Sequence, residues 1–306
     1  AGASLQVYDI VLPAPAASDE LLADALLRNH SVLSQIFAIQ GNNNVQQGNI
    51  SFPLDWPACP AVFPRADHFI GNAAAYNAVP KGHITPFVGD DGIVRKQPAI
   101  ICHDGKPHPA LFIAAATLGT KGQQPALAAG TSAWGPEWQL EGIPLGSHSI
   151  PLDSVGNVRI PWLLRPDSLI AIPAHQVLTG DLPPDLFDNA WVLIGSTALG
   201  VNDRIATPFS GIGAGLQVHA QLLVGLMDNK IPHQPRLSAL APFAITIIAT
   251  LLFYLLIQRR KRPITGFMVG GVAICGLSLL LKALLLVKFA VWIEWVGAAV
   301  YVLILA

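Results

Sequence analysis

Charge is scarce in this chain. Only 12% of its 306 residues are Asp, Glu, Lys or Arg, about half of the roughly 25% usual for a soluble globular domain. That shortage excludes disorder, which needs high charge and low hydrophobicity. It also leaves no basic footprint for nucleic acid, since the net charge is −1. Cysteine is limited to Cys59, Cys102 and Cys275, too few for a disulfide-dense scaffold. There is no Gly-rich Lys-Ser/Thr phosphate loop and no Gly-x-Ser-x-Gly elbow. His83, His103 and His108 lack zinc spacing, so neither a metal nor another cofactor is expected. The first residues, Ala1 to Gln6, have no basic segment or long apolar core and are not a signal peptide. Processing or truncation is expected there.

What the chain has instead is apolar bulk: 52% hydrophobic residues and a mean hydropathy of +0.49. Its charge is unevenly divided. Residues 1–235 hold 11 basic and 18 acidic side chains, and residues 236–306 hold 7 basic and 1 acidic. Leu237 to Ile257 runs 21 residues without a charge, close to the ~20 needed to cross a bilayer core. Arg259, Arg260, Lys261 and Arg262 follow, a positive-inside signal that also suits anionic lipid headgroups. Ile264 to Leu281 is apolar, and Gly266 and Gly270 allow close helix packing. A third stretch, about 290–306, begins with Trp292, Glu294 and Trp295, an interfacial pattern. Lys282 and Lys288 lie between the two and can snorkel. The expectation is a three-helix transmembrane region at about 237–257, 264–281 and 290–306. Residues 258–263 would be cytoplasmic and the 1–235 domain periplasmic or extracellular, in a bacterial inner or cell membrane.

Residues 1–235 read as α/β. Leu5–Leu12 is a short buried strand, and Ser18 caps an apolar-periodic helix over 19–29. Val32–Ile39 is the next strand, and 41–65 is a polar, Pro-rich loop that includes Asn42, Asn43 and Asn44. Strands follow at 68–71 and 98–102, with Asp104-Gly105 a hairpin turn. A helix over 110–118 leads to a glycine-rich region, 119–150, read as loop plus edge hairpin. Further on come a strand at 157–162, a short helix at 172–178, the clearest buried strand at 190–194, and a helix over 213–228.

The segment Trp191 to Ala198, with Gly200, Asp203, Thr207-Pro208, Gly215 and Gln217-Val218-His219-Ala220, resembles the CHASE2 family. Tyr8-Asp9-Ile10, Asp91 to Arg95 and Pro109-Ala110-Leu111 also fit. The resemblance covers about residues 5–235 and implies a mixed-sheet extracytoplasmic sensor domain of a bacterial receptor, continued by three membrane helices. In that family the domain follows an upstream helix and an acidic segment containing Trp and Arg. It leads into a cytoplasmic effector such as a nucleotide cyclase or histidine kinase. This chain contains neither the preceding segment nor an effector, so it is expected to be part of a receptor, acting as a homodimer.

Candidate site residues lie near presumed strand ends. Gly195, Ser196 and Thr197 follow a buried strand, where α/β sheets often bind ligands and where hydroxyls and amides could hold an anion. Asp203 and Thr207 lie in the next loop, where Asp203 could pair with an arginine or cap a turn. His219 is either a core residue or a protonation sensor. Asp9 ends a hydrophobic strand at the same presumed rim. Arg95 is a ligand clamp or a staple for the Asp90-Asp91-Gly92 turn. Cys59 and Cys102 could pair as a disulfide, although sequence does not set their geometry. The expected function is ligand or partner sensing, transmitted across the membrane to the effector. The rival is a membrane-complex subunit whose exported domain holds another protein.

Overall fold

The computed structural model describes residues 2–39, 45–120, 123–126, 142–165, 168–183, 185–196, 204–233, 276–277 and 279–292, with isolated positions between 244 and 255. The chain divides into two units, Ala1–Ile231 and Pro232–Ala306.

The first unit begins with β1 (Leu5–Asp9), whose alternate residues Leu5, Val7 and Asp9 are buried. Helix α1 (Asp19–Arg28) carries Asp19 and Glu20 in its first turn and Arg28 in its last, matching the helix dipole. Ser18 makes no capping bond through its side chain. The Asp19 carboxylate instead accepts the Ala16 N–H at 2.8 Å. Strands β2 (Ser31–Ala38), β3 (Gln46–Gln47) and β4 (His68–Ile70) precede a 3-10 turn, Ala74–Tyr76. Next come β5 (Lys81–His83), β6 (Phe87–Val88), β7 (Val94–Pro98), β8 (Ile100–His103) and β9 (Lys106–Pro109). Helix α2 (Leu111–Gly119) is followed by β10 (Gly142–Leu145), β11 (His148–Pro151) and β12 (Asn157–Arg159). The unit closes with α3 (Ala174–Thr179), β13 (Trp191–Gly195), β14 (Arg204–Ile205), β15 (Gly213–Ala214) and α4 (Leu216–Met227).

The main sheet is mixed. β1 lies between β13 and β2, parallel to both. β2 outruns β1: it pairs in parallel with β5 and then antiparallel with β4. One face packs Leu5, Val7 and Val32 against Leu111, Phe112 and Ala115 of α2 and Val218 and Leu222 of α4. The other face packs Leu33, Tyr8 and Leu12 against Ala23 and Leu26 of α1, with Tyr76 and Val79. The mixed α/β expectation therefore holds. Smaller antiparallel pairs flank the sheet, including the β8–β9 hairpin turned by Asp104 (φ 48°) and Gly105 (φ 74°). Cys59 and Cys102 are joined as a disulfide, their Cα atoms 5.9 Å apart.

The three-helix membrane region is not found. Among the described residues no helix is long and apolar enough to cross a membrane. Most of the stretches at 237–257, 264–281 and 290–306, and all of Arg259, Arg260, Lys261 and Arg262, lie outside the described residues. The longest described helical run in the second unit, 279–289, falls where a turn was expected. It is shorter than the ~20 residues a span needs and contains Lys282 and Lys288. Lys282 Nζ sits 4.3 Å from the Trp292 ring centroid, so this pair makes a cation–π contact. Apolar composition is necessary for a span but does not by itself make a continuous helix. The assignments that rested on the spans fall with them: multi-pass membrane localisation, a cytoplasmic 258–263 turn and signal transmission across a bilayer.

Candidate functional site

The two faces of the sheet determine where a crevice opens. The chain leaves the carboxyl end of β1 for α1, on one face. Beyond β13 it reaches α4, which packs on the other face. Neighbouring parallel strands whose chains depart to opposite faces form a topological switch point, the usual place for a ligand in an open α/β sheet.

Asp9 and Gly195 are register partners at that switch point. Asp9 is only 9% exposed, and its carboxylate makes no hydrogen bond or ion pair with the described residues. Burial pushes its carboxyl up to about 6, because desolvation penalises the charged form. Gly195 fits closely here: a Cβ on it would stand 3.3 Å from Asp9 Cβ and 3.2 Å from a Leu216 methyl. The first turn of α4 therefore abuts the same point, and no side chain caps it. Ser196 follows, half-buried and partnered.

The other expected residues play different parts. Thr207 is buried, and its hydroxyl staples a turn by accepting the Ser210 N–H (3.1 Å) and donating to the Ser210 carbonyl (3.2 Å). A Cβ on Gly213 would meet the Thr207 methyl at 2.8 Å and Gln217 Oε1 at 3.2 Å, so this turn lies against the start of α4. Arg95 is spent on Asp91, at 2.8 Å in an exposed ion pair. That guanidinium helps hold the Asp91 carboxyl down to about 2. Arg95 is thus the staple of its turn. His219 is buried in α4. Thr197 and Asp203 lie outside the described residues.

A buried polar layer escaped the sequence reading. Lys81, His83, Gln35 and Gln97 are each about 1% exposed or less, and His108 is 3% exposed. The Phe37 ring sits among three imidazoles, with centroids 5.0 Å from His108, 6.0 Å from His103 and 6.2 Å from His83. Burial, with the fields of His108 and His219, holds His83 well below its ordinary value. Burial also lowers His108 to about 4, helped by His103 and Lys106. Lys81 Nζ donates to Ser51 Oγ (2.6 Å) and to the carbonyls of Tyr76 (2.5 Å) and Val79 (3.1 Å). No period or motif marks these residues. Pro80-Lys81-Gly82-His83 shows no alternation, because β5 owes its place to pairing with β2, distant in sequence.

The fold and the rim thus define a mixed α/β domain with a polar switch point. The chain belongs to the CHASE2 family: the family model, CHASE2 domain, matches residues 1–257. At the level of the superfamily, membership supports an interaction of the sensor type. No curated protein and no solved structure matches the chain.

Proposed function

We propose that the first unit is a sensor domain that takes a small polar ligand at the carboxyl ends of β1 and β13. The observation that carries this reading is the Asp9 carboxylate. A buried carboxylate without a partner is costly. A ligand that donates a hydrogen bond or brings a cation would relieve that cost, so Asp9 selects an ammonium or hydroxyl group. The uncapped first turn of α4 beside Gly195 adds N–H donors to the same crevice. Family membership supports the sensor role.

The test is a thermal-shift and calorimetric screen of small amines, amino acids and polyols against the full chain. A ligand at 100 times its Kd adds about 2.7 kcal/mol of stability. A hit that binds wild type and is weakened at least tenfold by Asp9→Asn supports the reading. A hit that binds Asp9→Asn equally well, or a screen without hits, sinks it.

A further inference from the structure

The segment Ser51-Phe52-Pro53 lies across Lys81, away from the β1–β13 rim. Lys81 is 1% exposed, and no carboxylate among the described residues pairs with it. Two of its three acceptors are fixed main-chain carbonyls, Tyr76 and Val79. The third is the Ser51 hydroxyl at 2.6 Å. A neutral amine has two N–H donors and one lone pair. With both hydrogens held by the two carbonyls, the lone pair is directed at Ser51 Oγ.

Ser51 is itself clamped. Its N–H donates to Gln35 Oε1 at 3.3 Å, and its carbonyl accepts from Gln35 Nε2 at 3.4 Å. The next residue, Phe52, has φ 60° and is 40% exposed. A bulky residue in the left-handed region is an outlier, of the kind that clusters at functional sites. The Phe52 N–H makes no hydrogen bond with the described residues. It is thus a free donor one peptide from the serine. A lone structural lysine would account for the carbonyl contacts and for the Phe52 ring, whose centroid lies 5.6 Å from Lys81 Nζ, but it requires neither that the third acceptor be a serine hydroxyl nor that a free N–H in the left-handed region stand beside it.

We infer that Ser51 and Lys81 form a nucleophile and general-base pair that cleaves an ester or amide of a small acyl donor. Lys81 Nζ takes the Ser51 Oγ proton as Oγ bonds to the carbonyl carbon. The Phe52 N–H, one peptide from the serine, is the donor offered to the developing oxyanion. The ammonium then gives that proton to the leaving oxygen or nitrogen as its bond to carbon breaks, leaving an acyl ester on Ser51. Water adds to the ester, and Lys81 takes a proton from it. Lys81 returns that proton to Ser51 Oγ as the carboxylic acid departs. The pair needs no metal or redox partner. Burial lowers Lys81 to about 8, so the free amine is accessible near neutral pH.

The test is labelling of the full chain with a fluorophosphonate, read by intact mass and peptide mapping. One adduct at Ser51 is expected, forming faster as pH rises through about 8. Ser51→Ala should abolish it. Lys81→Arg keeps the charge and the donors but provides no base, and should slow labelling by about 100-fold or more, with circular dichroism reporting that the variant folds. Wild-type chain that remains unlabelled at Ser51 from about pH 7 to 10 overturns the inference without recourse to any variant. So does a folded Lys81→Arg that labels at the wild-type rate.

Discussion

Asp9 shows how one side chain couples a site to stability. Burial raises its folded carboxyl from an ordinary 3.8 to about 6. Above pH 6 both folded and unfolded chains carry the charge, and folding bears the full cost of burying it. Between 6 and 3.8 the folded state binds the proton first and is stabilised. Below 3.8 the cost is gone. Asp9→Asn should therefore raise stability by about 3 kcal/mol above pH 6 and change little near pH 3.8, as measured by urea denaturation at both ends. A stabilising substitution at a ligand contact is the trade expected of a functional group. Asp9 was legible in the sequence because an acid that ends an apolar strand is conspicuous. Arg95 was legible as a residue but not in its role, since the choice between clamp and staple depended on where Asp91 lay. Lys81 was not legible at all, and His83 was noticed only as a histidine without zinc spacing.

At the scale of elements, the strongest local signals were the truest. Helix α1 and the Asp-Gly turn of β8–β9 lie where the sequence places them, although α1 buries Ala23 and Leu26 and leaves Leu21 and Leu22 exposed. β13 read as the clearest buried strand, yet all its residues are half-buried, because among the described residues only β1 pairs with it. β5 has no alternation to read. It exists because Gly82 lets the strand press against α2: a Cβ there would lie 2.5 Å from Leu111 Cα. Gly82→Ala forces backbone apart and should cost about 3 kcal/mol, visible as a lowered denaturation midpoint. Gly105→Ala, where a Cβ meets nothing within 4 Å, should cost only the strain of its positive φ, about 1 kcal/mol. The stretches after residue 236 teach the opposite lesson. Their composition met the length and charge requirements of a membrane span, yet among the described residues no helix is long and apolar enough to cross a membrane.

Across the whole molecule, two sets of buried groups respond to acid in opposite senses. Asp9 gains stability as pH falls below 6. His108, held near 4, does the reverse. Above 6.5 it is neutral in both states and the fold has its full stability. As pH falls, the unfolded chain takes the proton first, and the loss reaches about 3 kcal/mol by pH 4. His83 adds to it in the same direction. Net acid destabilisation between about pH 6 and 4 is expected, and His108→Gln should flatten that slope in a pH series of thermal melts. A final consequence comes from the pairing of β1 with β13. The two run side by side for five residues, yet nearly all of the first unit separates them in the chain. During synthesis β1 emerges long before β13 and waits for that partner. Non-local pairings of this kind slow folding. An unpaired, apolar β1 edge is also an aggregation template until residue 195 leaves the ribosome. The nascent chain thus depends on holding its opening strand in reserve, against β2 alone, until the sheet can close around it.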